Sequence, residues 1–214
     1  MLRRFLSISL TLLALSLAAC VPAASPAPAE PGALLFADDF TGVSGGWMVA
    51  AGPAGELNYY QGTFRIVVDY PAYDLWSLTG HSFGDVHVEA DAGRLGGPQE
   101  NRFGLVCRFR DPGDFYFFVI SSDGYYAVGK VSGGVRTLLG QEMMEYSPAI
   151  VSGVLPNHLR FDCVGDTLTA YANSRPIAQV RDGDHLAGDV GLLAGTFDQP
   201  GVEIIFDNFI VTNP

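Results

Sequence analysis

Residues 102–131 read RFGLVCRFRDPGDFYFFVISSDGYYAVGKV, three apolar runs separated by two short polar turns. Aromatic and β-branched residues dominate the runs, which is typical of β-strands. The dipeptide Asp123-Gly124 between the second and third runs predicts a type I′ hairpin turn. Gln61-Gly62, Gly165-Asp166, Asn173-Ser174 and Gly133-Gly134 give related turn signals. The stretch therefore predicts consecutive antiparallel strands.

The same pattern extends in both directions, and no helical periodicity exceeds two turns. Short apolar runs separated by Gly, Asp, Asn and Pro indicate an all-β, two-sheet antiparallel β-sandwich over residues 34–214. The predicted strands are Leu34–Phe36, Glu56–Tyr60, Thr63–Asp69, Asp74–Leu78, Asp85–Ala92, Arg102–Arg110, Phe115–Ser121, Tyr125–Val131, Val135–Leu139, Asn157–Val164, Thr167–Ala172, Pro176–Val180, Val190–Thr196 and Val202–Val211.

Composition narrows the class of function. The chain has 214 residues, 48% of them hydrophobic and 16% charged, with a formal net charge of −11. Lys130 is the one lysine among 12 basic residues. A nucleic-acid-binding surface needs a basic stripe, so this class is excluded. One domain is the economical interpretation of the length.

The N-terminus has the pattern of an export signal. Arg3 and Arg4 precede an apolar run to Leu17, followed by Leu-Ala-Ala-Cys20, which resembles the bacterial lipobox. The resemblance implies a signal peptide over residues 1–19 and lipidation of Cys20, whose acyl chains would anchor the protein in a membrane. Residues 20–33 form a Pro/Ala-rich linker, so the domain would stand in the cell envelope on the extracytoplasmic side. The alternative is an ordinary cleaved signal with an incidental cysteine.

Two further cysteines remain, an even pair in an exported protein. Cys107 shares a strand face with Leu105 and Phe109, and Cys163 shares one with Leu159 and Phe161. Both thiols should point to apolar surroundings, which favours a Cys107–Cys163 disulfide. Two buried free thiols are the alternative.

Five segments carry a resemblance to a known fold family: FADDF (36–40), GGW (45–47), FGLVCR (103–108), ISSDGYY (120–126) and FDNF (206–209). They resemble the concanavalin A-like lectin/glucanase superfamily, in particular laminin-G-like and 3-keto-disaccharide hydrolase-type domains of bacterial envelope proteins. The resemblance covers residues 34–211. It implies a two-sheet jelly roll whose concave face often binds carbohydrate, and fold alone leaves the activity open.

One strand carries a candidate polar face. Period-2 alternation over Asp85–Ala92 places His87, Glu89 and Asp91 together. Glu-x-Asp resembles the start of the glucanase catalytic motif, but the second glutamate that retaining hydrolysis requires is missing after Asp91. The face is therefore a solvated surface, a ligand-contacting surface or, least in keeping with the sequence, a glycosidase dyad.

Neighbouring residues extend this hypothesis. Arg108 and Arg110 alternate with core residues and should pair with Glu89 or Asp91, or donate to sugar hydroxyls. Trp76, Tyr116 and Tyr171 are candidate aromatic platforms for apolar sugar faces. Opposite charges on such a face partly cancel, which favours a neutral polyhydroxylated ligand.

Acidic residues lie near both ends of the domain. Asp38, Asp39 and Asp207 lie in the first and last strand regions, and the family resemblance implies a structural calcium ion there. Turn-capping aspartates are the alternative. No zinc spacing, nucleophile elbow or phosphate-binding loop is present.

These patterns predict an envelope-anchored lipoprotein whose domain binds carbohydrate or another envelope component. A glycoside hydrolase and a structural or protein-interaction module are the alternatives.

Overall fold

A computed structural model describes residues 30–43 and 45–214. The predicted signal peptide, Cys20 and most of the linker lie outside these residues. The described part contains strands and turns but no helix, and hence no helix able to cross a membrane. The strands are β1 Leu34–Asp38, β2 Ala50–Gly52, β3 Gly55–Tyr60, β4 Thr63–Val68, β5 Asp74–Leu78, β6 Val86–Gly96, β7 Asn101–Asp111, β8 Asp114–Ile120, β9 Tyr125–Ser132, β10 Val135–Leu138, β11 Glu145–Tyr146, β12 Asn157–Val164, β13 Thr167–Ala172, β14 Arg175–Arg181, β15 Asp189–Thr196 and β16 Val202–Thr212.

The strands form two antiparallel sheets packed face to face. The nine-stranded sheet has the order β14-β13-β12-β6-β16-β4-β3-β2, with β1 also paired to β16. The seven-stranded sheet has the order β10-β9-β8-β7-β15-β5, with β11 also paired to β9. The predicted β-sandwich is confirmed, and every predicted strand is present; β2 and β11 are additions.

The main core lies between the sheets. Its members include fully buried aromatic rings: Phe64, Phe103, Phe118, Phe161, Phe206 and Phe209. Alternation puts every second residue of the central strands into this layer, and burying such large apolar side chains is the dominant stabilising term.

The predicted disulfide joins the two sheets. Cys107 on β7 is bonded to Cys163 on β12, with the Cα atoms 6.8 Å apart. Both cysteines are fully buried. The bridge therefore crosses the core and ties a central strand of each sheet to the other.

The hairpin predictions had mixed outcomes. Gln61-Gly62, Gly133-Gly134 and Asn173-Ser174 are two-residue turns in which both residues have φ between 51° and 80°, as type I′ geometry requires. The prediction for Asp123-Gly124 was wrong, because that loop spans four residues and Gly124 alone has a positive φ, 101°. The two extra residues, Ser121 and Ser122, are both buried and hydrogen-bonded, so they hold the wider loop in place.

Candidate ligand-binding site

The outer face of the nine-stranded sheet carries the predicted polar residues. Here we call it the charged face. Its side chains, from β6, β12 and β13, are His87, Glu89, Asp91, His158, Arg160, Asp162 and Tyr171. β6 is regular over these positions, so the predicted grouping of His87, Glu89 and Asp91 is as expected from strand alternation.

One imidazole holds both candidate carboxylates of this face. His158 Nδ1 lies 2.9 Å from Asp91 Oδ1, and His158 Nε2 lies 3.1 Å from Glu89 Oε2. An ionised carboxylate only accepts hydrogen bonds, so both bonds form together only when the ring is protonated. Asn208 Nδ2 also donates to Asp91 Oδ2 at 2.9 Å. Both carboxylates are thus engaged by protein groups.

The remaining charges of this face are paired in the same way. Arg160 donates through Nε and Nη2 to Asp162, at 2.6 and 3.0 Å, and these bonds raise the pKa of the guanidinium. The Arg160 guanidinium also lies 5.3 Å from the centre of the Tyr171 ring. His87 Nδ1 lies 2.7 Å from Asp162 Oδ1, although not in hydrogen-bonding geometry. The groove next to Glu89 and Tyr171 encloses about 180 Å³.

Arg108 does not join this face, which corrects the expected pairing. Its φ is +52°, and the pairing of β7 with β8 shifts register here. This bulge turns Arg108 inward, where its guanidinium is 1% exposed and donates to the carbonyl oxygens of Gly165, His185 and Cys163 and to Asp85 Oδ1. The expected face of Phe109 was wrong for the same reason, because the bulge moves its ring to the outer side of the sheet.

Three other predicted ligand residues lie apart from the charged face. Arg110 is exposed beyond the bulge, beside a separate groove lined by His81 and Asp189. Tyr116 is fully buried, and its hydroxyl donates to Asp182 Oδ1 at 2.6 Å; burial raises the pKa of Tyr116 to about 12. A buried Tyr116 cannot serve as a platform for a ligand. Trp76 lies on the outer face of the other sheet.

The predicted calcium ligands are engaged by neighbouring groups. Asp38 accepts from the Phe40 amide through Oδ1 at 2.8 Å and from the Trp47 indole through Oδ2 at 3.0 Å. Asp39 caps the turn at Thr41, whose hydroxyl lies 2.7 Å from Asp39 Oδ1 and lowers the pKa of that carboxyl. These are the contacts of turn-capping aspartates.

Asp207 lies close enough to Asp91 and Asp39 to feel both of their charges. Burial raises the pKa of the Asp207 carboxyl, and the charges of Asp91 and Asp39 raise it further. Within residues 30–43 and 45–214, no group of three His, Cys, Asp or Glu side chains is arranged to hold a metal ion. The residues present thus supply no ready ligand set. Structural calcium stays a prediction, tested by the melting temperature with and without chelator.

The outer face of the seven-stranded sheet is apolar. Here we call it the groove face. Its buried side chains form a second cluster, separate from the main core: Val106, Phe109, Phe115, Phe117, Val119, Ala127, Val131 and Leu193. Trp76 packs beside it, with its ring centre 5.9 Å from Phe109 and 6.0 Å from Phe115. Gly129 leaves the space that the Phe117 ring occupies, since a Cβ there would collide with the ring.

An open groove of about 410 Å³ lies on this face. It is lined by Arg102, Phe117, Val119, Ala127, Arg136, Leu138, Met143, Met144 and Phe197. A neighbouring groove shares Met143, Met144 and Phe197 and adds Glu100, Ser121, Asp123 and Tyr125. The two form one continuous surface, apolar in the middle and with hydrogen-bond acceptors at one end.

Two arginines and one aspartate span this groove. Asp74 Oδ1 accepts from Arg102 Nε at 2.6 Å, and Asp74 Oδ2 is in contact with Arg136 Nη2. Asp74 is on β5 and Arg136 on β10, the outermost strands of the sheet path. Five spacings of about 4.8 Å separate these strands. The two side chains therefore meet only because the sheet curls toward this face, which makes the groove face concave.

Sequence reasoning identified only Trp76 on this face. A usable signal was present in Phe115–Ile120, FYFFVI, where six successive apolar residues leave no polar side for a half-exposed strand. Such a run predicts apolar residues on both faces of the sheet, and hence a covered or ligand-binding outer face. The pairing of Arg102 and Arg136 through Asp74 had no local signal, because the partners are 28 and 62 residues from Asp74.

Comparison with known proteins places the fold. No family model and no curated protein matches the sequence. Among solved structures, the chain is similar to the carbohydrate binding module CBM66 from Bacillus subtilis, with 19% identity, a TM-score of 0.63 and coverage of 78% of this chain and 96% of the other. It is also similar to a protein of unknown function with a galectin-like fold from Bacillus subtilis, with 16% identity, a TM-score of 0.65 and coverage of 86% and 97%.

A third similar structure is a Bacillus licheniformis β-glucanase, with 10% identity, a TM-score of 0.59 and coverage of 84% and 97%. At such low identity these similarities concern the fold alone. They confirm the jelly-roll sandwich that the sequence resemblance implied, an architecture shared by carbohydrate-binding modules and glycoside hydrolases.

Proposed function

We propose that this protein binds carbohydrate in the concave groove of the groove face. The observation that carries the proposal is the open apolar groove on the outer surface of the seven-stranded sheet, bordered by two arginines that share a single carboxylate. Ligand sites combine apolar walls with a few placed polar groups, and sugars offer apolar ring faces bordered by hydroxyls. The similarity to a carbohydrate binding module supports the ligand class.

Carbohydrate hydrolysis is the second candidate, favoured by the similarity to a β-glucanase. Retaining hydrolysis needs two carboxyl groups that flank the scissile bond, one of them free to act as nucleophile. Glu89 and Asp91 are both held by His158, beside a groove of about 180 Å³. Glu100 and Asp123 line the neighbouring groove on the groove face. The binding function needs neither pair, which is why we place it first.

The envelope location is part of the same proposal. Lipidation of Cys20 would anchor the chain, and the Pro/Ala-rich linker would present the groove face to ligands outside the cytoplasm. Cys20→Ala should move the protein from the membrane fraction to the soluble fraction, or leave it uncleaved. Normal cleavage with an unchanged membrane fraction would contradict the anchor.

Glycan-array binding of the detergent-solubilised full chain tests the proposed function. Met143 is 71% exposed and lines the groove, so Met143→Asp should abolish binding to any glycan captured by the unmodified protein while the fold is retained. Val154 is 61% exposed and does not line the groove. Val154→Asp is therefore the matched control and should bind normally.

Three outcomes would contradict the proposal. Equal loss of binding in both variants would remove the groove as the site. Absence of any glycan binding would favour the structural or protein-interaction module. Turnover of a captured glycan would show that the function is hydrolysis rather than binding alone. Loss of turnover in Glu100→Gln or Asp123→Asn would then identify the carboxylates responsible.

A further inference from the structure

The groove face carries an excess of positive charge at its centre, although the whole chain has a formal charge of −11. Arg102 and Arg136 share a single counterion, Asp74, whose side chain is 8% exposed. Each oxygen of Asp74 is used by one arginine. The cluster therefore has two cations and one anion, and lacks one negative charge.

Each of the two guanidinium groups lies over an aromatic ring. Arg136 lies 4.8 Å from the centre of the Phe117 ring, and Arg102 lies 4.8 Å from the centre of the Phe197 ring. Stacking on a ring uses the flat face of a guanidinium, whereas all its N–H groups point outward in its plane. Beyond the bonds to Asp74, neither guanidinium donates to another described residue.

The rest of the 410 Å³ groove offers no competing acceptor side chain. Apart from the two arginines, its lining consists of Phe117, Val119, Ala127, Leu138, Met143, Met144 and Phe197. A guanidinium fork in an apolar setting matches a carboxylate in shape and charge, and such bonds are about twice as strong as neutral ones. The acidic side chains Glu100 and Asp123 lie in the neighbouring groove.

We propose that this groove is specific for a carboxylate-bearing sugar residue, such as a hexuronate, whose carboxylate binds the free N–H edges of Arg102 and Arg136. This inference rests on the proposed function and assigns its ligand class. The bound carboxylate completes a cluster of two cations and two anions. The long-range repulsion from the acidic protein is screened within about 8 Å at physiological salt, so it does not prevent contact inside the groove.

The test compares two forms of one ligand. Titration calorimetry of the detergent-solubilised full chain would use oligogalacturonate and its fully methyl-esterified form, which differ in charge but share a sugar backbone. We expect the free acid to bind at least about tenfold more tightly than the ester, as charge-assisted bonds imply. Arg136→Gln should abolish this preference without loss of the folded melting transition.

A matched control uses Arg175, which is exposed on the edge strand β14 and makes no ion pair with a described residue. Arg175→Gln changes the net charge by the same amount and should keep the preference. Equal binding of acid and ester would overturn the carboxylate specificity and leave carbohydrate binding intact. If neither form binds while neutral glycans bind in a way that Met143→Asp abolishes, the carboxylate specificity would also be overturned and carbohydrate binding would stand.

Absence of binding to all glycans, charged or neutral, would instead contradict the proposed function as well. Binding of poly-glutamate as tight as that of oligogalacturonate would overturn the inference in favour of an acidic protein partner. A preference for the free acid that survives Arg136→Gln would place the carboxylate elsewhere.

Discussion

The two outer faces of the sandwich differ in how their charged side chains are paired. On the charged face, His158 lies within hydrogen-bonding distance of Glu89 and Asp91, and Arg160 pairs with Asp162, so the polar side chains contact one another. On the groove face, an apolar cluster carries an open groove in which two arginines share one carboxylate. A set of polar residues on one strand face is therefore weaker support for a ligand site than an incompletely satisfied group beside an apolar surface.

The disulfide between the sheets gives the largest expected effect, since it holds the two faces back to back. Cys107→Ser should destabilise the fold by about 4 kcal/mol in the chain-entropy model, because the bridge closes a loop of 56 residues. Reductant should lower the melting temperature of the unmodified protein to a similar value. Two titratable thiols in the unfolded, non-reduced protein would contradict the bridge.

A matched pair of aromatic truncations compares the faces directly. Phe117 and Tyr171 each lie beneath an arginine, but Phe117 is 1% exposed, whereas Tyr171 is only partly buried. Phe117→Ala should cost about 3 kcal/mol, since it leaves a cavity in a packed layer. Tyr171→Ala should cost about 1 kcal/mol or less. Equal losses in thermal denaturation would contradict a second apolar layer on the groove face.

Neutralising the charged face should have little effect on ligand binding. Glu89→Gln removes one negative charge beside His158 on a partly exposed surface, so a destabilisation of less than about 1 kcal/mol is expected. Affinity for a captured glycan should change by less than about twofold, because Glu89 does not line the groove. A loss of binding, or of a measurable hydrolytic activity, would return the site to the charged face.

The smallest expected effect concerns the repulsion between Asp207 and the nearby carboxylates of Asp91 and Asp39. Burial and the charges of Asp91 and Asp39 raise the pKa of Asp207 in the folded protein, so the folded state favours the protonated carboxyl and loses stability as pH rises through that pKa. Asp207→Asn should therefore raise the melting temperature by about 1–2 °C at pH 7. The gain should vanish below about pH 3, where the carboxyl is protonated in both the folded and the unfolded state. A gain independent of pH would exclude this electrostatic cause.

The sequence predicted the strands well because alternation and turn residues are local signals. Asp85–Ala92 shows this: regular alternation put His87, Glu89 and Asp91 on one face, as found. The same rule failed in β7, because the left-handed bulge at Arg108 reverses the faces of the following residues. Nothing in the local sequence marks that bulge, since arginine has no preference for positive φ.

The site itself was harder to predict because it depends on distant partners. His158 meets Glu89 and Asp91 only through the pairing of β12 with β6, and this pairing turns a candidate ligand face into a self-satisfied surface. Arg136 reaches Asp74 only because the seven-stranded sheet is curved. The alternation of residues within its own strand predicts Trp76 on a ligand surface. The structure places it on the groove face beside Phe109 and Phe115.

Methyl NMR of methionine tests most directly where the ligand binds. The chain has four methionines; Met143 and Met144 line the groove, whereas Met48 is exposed elsewhere on the domain. Titration of ¹³C-methyl-labelled protein with a captured glycan should shift the Met143 and Met144 signals and leave that of Met48 unchanged. Saturable binding that moves neither groove methionine would contradict the assignment of the ligand site to the groove face.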